Sequence, residues 1–145
     1  MSRSDQEKLA ELAGNSIRYV PAYALMIGSV KSGLMLSQLV YWHGMGKRYD
    51  GYFYKSVKEF EVETGMTRHE QDSAVRQLKS LGLIDVRLAG IPATRTFWVN
   101  IPTVQKMLTA WLKTDRLDSE KLQMQFAEKR QSNTDTTHRP QQKPP

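Results

Sequence analysis

The sequence predicts an α+β fold, mainly α: a winged helix-turn-helix with a small β-wing and extra helices at its N- and C-terminal ends. Three observations predict it. Two capping boxes, Ser56-x-x-Glu59 and Thr67-x-x-Glu70, each open a helix, and only Gly65-Met66 lies between those helices. Behind the second helix, Leu81-Gly-Leu-Ile-Asp85 marks a helix stop followed by a strand. Two alternating runs, Leu83–Leu88 and Thr94–Ile101, then flank a turn at Gly90-Ile91-Pro92. Helix, sharp turn, helix, strand, tight loop and strand, in that order, present one helix and one β-ribbon to a partner.

Each element has a local cause. Asp5–Ala13 reads as a short helix stopped by Gly14-Asn15. Ile17–Val20 reads as extended, because a proline disfavours helical geometry in its predecessor, and Pro21 then opens a helix through Ala22–Ser29. Ser32–His43 is the core helix: Leu36, Leu39, Val40 and His43 follow the spacing of one helical face, and Gly44 and Gly46 stop it. After a loop at Lys47–Gly51, Tyr52-Phe53-Tyr54 is a short β-prone run, expected to pair with the wing and to pack its rings on Trp42 and Phe60. The boxed helices run from Ser56 to about Thr64 and from Thr67 to about Leu81, and Gly65 supplies the positive φ of the turn between them. Beyond Pro102, Val104, Met107, Leu108, Trp111 and Leu112 give an amphipathic helix, and a weaker one covers Ser119–Lys129. The expected organisation is therefore an extension (1–16), a winged-helix domain (17–112), a C-terminal helix (113–129) and a disordered polar tail (130–145).

Composition bounds the function. A chain of 145 residues with 39% hydrophobic residues supports one domain with a real core. The net charge of +6 makes a polyanionic partner plausible without specifying one. It is spread out, with 14 basic against 10 acidic residues up to position 112 and 7 against 5 beyond it. Cysteine is absent, which excludes disulfides and thiolate metal sites. The polar, partly acidic N-terminus does not read as a targeting signal. Leu34–Trp42, the most apolar stretch, is far shorter than the roughly 20 residues that span a bilayer. A cytoplasmic protein with no membrane contact is expected, in a host cytoplasm or associated with the nucleoid.

A candidate nucleic-acid surface follows from helical geometry. With Ala74, Val75, Leu78 and Leu81 turned to the core, the helix presents His69, Asp72, Ser73, Arg76 and Ser80 outward, with Lys79 at the edge. Arg, Ser and Asp side chains suit base edges, and the helix start at Thr67, Arg68 and His69 offers amides to a phosphate. Arg87, Thr94 and Arg95 are the candidate contacts of the wing. Residues 67–100 hold only five basic against three acidic residues, so Lys47, Arg48, Lys55 and Lys58, or a second copy of the chain, are expected to help. Gln71 falls near the core face and needs a backbone partner there. The face formed by Val104, Met107, Leu108 and Trp111 is either the closing layer of the core or a dimer seam.

Other chemistry finds no support in the residues. His43, His69 and His138 are far apart in sequence and have no metal-ligand spacing, and His43 reads as a structural histidine. There is no Gly-rich phosphate loop and no nucleophile elbow, while Glu59, Glu61 and Glu63 read as a solvated face with a capping role. Tyr49, Tyr52, Phe53, Tyr54 and Lys55 form a second, weaker candidate, a platform for stacking single-stranded bases. No enzyme activity, cofactor or metal is expected.

Leu36-Ser-Gln-Leu-Val-Tyr-Trp42, Asp50-Gly-Tyr-Phe-Tyr-Lys55, Thr64-Gly-Met-Thr-Arg-His-Glu-Gln71, Leu81-Gly-Leu-Ile84 and Gly90-Ile-Pro-Ala93 occur in order. This series resembles the winged-helix domain of phage and mobile-element replication initiators, the replisome organisers related to DnaD N-terminal domains, over about residues 17–101. The resemblance implies a winged helix, a place in replication initiation or regulation on a mobile element, and self-association. It assigns recognition to Thr67–Lys79 and the wing to Arg87–Arg95. The chain departs from relatives that continue into a further domain, which puts helicase loading in doubt. The expected function is sequence-specific binding of double-stranded DNA in replication initiation. A transcriptional repressor of the same fold and a replisome adaptor that touches no DNA stand as alternatives.

Overall fold

A computed structural model describes residues 3–45 and 50–132. Helix α1 (Arg3–Ala13) comes first, followed by α2 (Pro21–Ile27) and α3 (Val30–His43). Strand β1 (Phe53–Tyr54) leads into α4 (Val57–Thr64) and α5 (Arg68–Ser80). Strands β2 (Ile84–Ala89) and β3 (Thr94–Val99) precede α6 (Ile101–Ser132). The fold is α+β and mainly helical, with one antiparallel sheet in the order β1-β3-β2. The chain divides into two units, Met1–Leu108 and Thr109–Pro145.

Short-range chemistry sets the helix ends. Ser29 accepts the Ser32 amide at 3.2 Å and caps α3, so that helix starts at Val30 and α2 closes at Ile27, not Ser29. Gly33 is where α2 and α3 meet: a Cβ there would sit 2.5 Å from the backbone of Ala24, a distance that admits no side chain. Both capping boxes form, Ser56 with Glu59 and Thr67 with Glu70. Gly65, at φ 77°, turns the chain between them.

The first unit is built around α3, whose Met35, Leu36 and Leu39 are fully buried. Phe60 from α4, Ala74 and Leu78 from α5, and Phe97 and Val99 from β3 close over them. The rings of Phe60 and Phe97 meet edge to face at 5.6 Å. Burying a side chain of this size contributes about 1.5–3 kcal/mol. Leu78→Ala would therefore cost about 2–5 kcal/mol, since a cavity is added to the lost burial. Leu81 is not part of this face: it follows α5 as its cap residue and is 39% exposed.

The sheet registers Phe53 opposite Phe97 and Tyr54 opposite Thr96, so the short run pairs, as a strand, with β3. Its ring partners differ from the expectation. Phe53 meets Phe97 and His43, and Tyr52 stacks on Trp98. The place beside Trp42 is taken by Lys55 instead.

Helix α6 contributes Val104 to the core, with Ile101 and Met107 packed against it. It does not close near Leu112. The weak helix expected over Ser119–Lys129 belongs to the same unbroken helix, which reaches Ser132. The cause is that neither glycine nor proline occurs between Thr103 and Ser132. Of the expected tail, residues 133–145 lie outside the described residues.

Candidate nucleic-acid interface

Gln71 holds the α4–α5 arrangement from inside. It is fully buried, and its Nε2 donates to the carbonyls of Val57 and Met66, both at 3.0 Å. Its Oε1 accepts from Arg95 Nη2 at 2.8 Å. One side chain thus ties the start of α4, the turn, α5 and β3 together. The buried polar residue expected to need a backbone partner has two, and a cation besides.

With α5 anchored this way, its other side is free. Thr67, Arg68, His69, Asp72, Ser73, Arg76, Lys79 and Ser80 are all exposed, so the predicted outward face of the helix is the solvent face. Glu70 is withdrawn from that face electrostatically. Lys31 lies 2.6 Å from its carboxylate, and with the Thr67 amide it holds the Glu70 pKa down to about 2. Ser32 also donates to Gln77, a second tie between α3 and α5.

The β2–β3 ribbon departs from expectation at two of the three residues assigned to a wing. Arg95 points inward. It shares the core side of β3 with Phe97 and Val99, and its guanidinium lies 5.1 Å from the Phe97 ring and 5.7 Å from Phe60. Burial pushes its pKa down against the opposing charge of Asp72, and its Nε and Nη1 have no partner among the described residues. The signal that would have found this is the i, i+2 alternation with the two apolar residues that follow. Thr94 donates its hydroxyl to the Ala89 carbonyl at 2.9 Å, closing the ribbon and spending the proton a phosphate would take. Arg87 is exposed as predicted, but its guanidinium lies 4.3 Å over the Tyr52 ring and 3.6 Å from Asp85.

The auxiliary cations divide. Lys55 is buried, 4% exposed, bonded to Glu63 and 4.0 Å over the Trp42 ring. It is a core group and is not available to a phosphate. Burial of Glu63 works against its charge, but hydrogen bonds from Lys55, Gln38 and Trp42 outweigh that and hold its carboxyl below the usual range. Glu63 is accordingly a half-buried anchor for Lys55, not part of a fully solvated face. Lys58 is exposed and pairs with Glu61 at 3.6 Å. Lys47, Arg48 and Tyr49 lie outside the described residues.

Half of the candidate dimer face is spent as well. Val104 is buried and Met107 packs on the core, so these two serve as the closing layer; Leu108 and Trp111 are half-buried.

One cluster was missed in the sequence. On the sheet face opposite Phe97 and Val99, Tyr52 donates to Asp85 and stacks on Trp98, and Arg87 covers it. Tyr52 is 8% exposed, which removes it as a stacking platform for bases. The bond to Asp85 raises the Tyr52 pKa and lowers that of Asp85.

Comparison with protein-family models, with curated proteins and with solved structures finds no match. The surface itself therefore carries the functional argument. Among the described residues no helix is long and apolar enough to cross a membrane, and no group of His, Asp and Glu is placed to hold a metal ion.

Proposed function

We propose that this protein is a non-enzymatic winged-helix protein that binds double-stranded DNA at specific sites, with α5 as its recognition helix and the β2–β3 ribbon as its wing. The observation that carries the reading is the pairing of a locked inner side with an open outer side on α5. Gln71 fixes the helix to three neighbouring elements, while His69, Asp72, Ser73, Arg76 and Lys79 stand exposed in a row. A rigid helix lined with donors and acceptors is what reading base edges in a major groove requires. The resemblance to replication initiators of phages and mobile elements supports a role at an origin. Occupancy of a promoter, as a repressor, would use the same face.

Salt-titrated binding to fragments of the genetic element that encodes the protein tests this. Contacts from Arg68, Arg76 and Lys79 would give a log–log salt slope of about −3. Footprints over repeats at an origin support the replication role, and footprints over a promoter support repression. No binding to any duplex at low salt would leave only the adaptor alternative.

A further inference from the structure

The end of the wing has the wrong chemistry for following phosphates. Leu88-Ala-Gly-Ile-Pro-Ala93 contains no charged residue and every one of its residues is exposed. Leu88 is 72% exposed and Ile91, at the apex, is 103% exposed. The cations at its two roots are both engaged elsewhere: Arg87 is folded over Tyr52 beside Asp85, and Arg95 is turned into the core. The ribbon also projects. The last bond from the β1 segment runs from the Lys55 amide to the Arg95 carbonyl, so from the Ala89–Thr94 pair onward this end is two strands wide.

A convex apolar knob on a narrow ribbon fits a concave apolar surface. In duplex DNA that surface is the interior of a base step, reached from the minor groove by partial unstacking. Resting on the proposed DNA-binding function, we infer that the wing tip is a wedge: Ile91, backed by Leu88 and Pro92, inserts at a deformable step and bends the duplex while α5 reads the adjacent major groove. Pyrimidine–purine steps such as TA unstack most readily and are the preferred target. The wing then contributes to affinity through shape and deformability, with little dependence on salt.

The test uses the full chain and two 30-bp duplexes, one with central TA steps and one with a central A-tract, each carrying 2-aminopurine at the centre and a dye pair at the ends. Wild type is expected to brighten the 2-aminopurine, shorten the end-to-end distance, and bind the TA duplex about tenfold tighter than the A-tract duplex. Ile91→Ala, whose side chain supports nothing in the fold, should lose the brightening, the bend and the preference together. It should also bind the TA duplex about tenfold more weakly, in line with the lost burial. Arg76→Ala should instead weaken both complexes and keep the preference. Binding without brightening or bending, or an Ile91→Ala variant equal to wild type, would overturn the wedge and leave the DNA-binding reading standing. Dissociation of a dimer by Ile91→Ala in sedimentation would overturn it in favour of a self-association seam. Failure of wild type to bind either duplex at low salt would remove the DNA-binding reading and the wedge with it.

Discussion

Replacing Gln71 by alanine should loosen the joint that ties α5 to α4 and β3. The side chain makes three hydrogen bonds: to the Val57 and Met66 carbonyls, and from Arg95. A net bond is worth about 0.5–1.5 kcal/mol, more where a charge takes part, and groups left without partners in a closed site add their own desolvation cost. Gln71→Ala is therefore expected to cost about 3–4 kcal/mol. For a unit of this size that lowers Tm by about 10–20 °C. Arg95→Met behaves differently. It deletes one of those bonds but also removes a buried cation with two unpartnered nitrogens, while methionine still fills the space beside Phe60 and Phe97. Its net cost should be about 0–1 kcal/mol, because removing a desolvated charge offsets the lost bond. The two changes share one interaction, so in the Arg95→Met background Gln71→Ala should cost about 1.5 kcal/mol less.

Urea denaturation of wild type, both single variants and the double variant, followed by tryptophan fluorescence, measures all the terms. A Gln71→Ala cost below about 1 kcal/mol would refute the anchoring, and so would additivity within about 0.5 kcal/mol. The same Arg95→Met protein checks the inward placement functionally. Its salt slope on DNA should match wild type, whereas a slope smaller by about 1 would show that Arg95 meets a phosphate after all.

Arg76→Ala should weaken binding to a specific site by about 1–3 kcal/mol and relax the preference at one base position; unchanged affinity and preference would remove Arg76 from recognition. Lys55→Met should destabilise the fold by about 2–3 kcal/mol, because Glu63 is left half-desolvated without its cation, and adding Glu63→Gln should recover most of that. Neither change should alter the salt slope, as neither group faces a phosphate. Glu63, Asp85 and Glu70 all have pKa values lowered by folding. Their stabilisation is therefore present above the ordinary carboxylate range and is lost as pH falls from about 4.5 towards 2. The urea midpoint should drop over that window, and less steeply in Glu63→Gln. Tyr52 has a raised pKa, so its contribution is complete below pH 10 and is lost above it. Tyr52→Phe should flatten the alkaline limb of the stability profile; an unchanged limb would refute the Tyr52–Asp85 pair.

What the sequence made legible is what local chemistry decides. The two capping boxes and the Gly65 turn are read from residues three or four apart, and they place α4 and α5 correctly. The outward face of α5 follows from helical period alone. Lys55 shows the opposite case. Its burial depends on Trp42 and Glu63, which come from different elements, and nothing in Tyr54-Lys55-Ser56 announces it. Arg95 lies between these extremes: alternation with Phe97 and Val99 turns it inward, but assigning an arginine to a wing by its charge overrides that signal. For α6, the lapse of apolar periodicity after Leu112 suggested a break, while the absence of any helix breaker carried the helix on.

The charge balance of the proposed reading surface also changes once partners are known. By count, five basic residues face three acidic ones between positions 67 and 100. Two of these acids, however, have a cation or donor of their own. Glu70 is held by Lys31 and its capping box, and Asp85 is bonded to Tyr52 with Arg87 beside it. Arg68, Arg76 and Lys79 make no ion pair among the described residues. The exposed helix thus offers three cations against Asp72 alone, in place of a nearly neutral patch. Three such contacts bring modest non-specific affinity, because counterion release scales with their number. In the proposed reading, discrimination would then come from terms that salt does not screen: base-edge hydrogen bonds from α5, and the apolar ribbon tip working against the stiffness of the step it meets. A surface of this kind would bind random sequence weakly at physiological salt while keeping much of its affinity for a site that is both correctly lettered and easily bent.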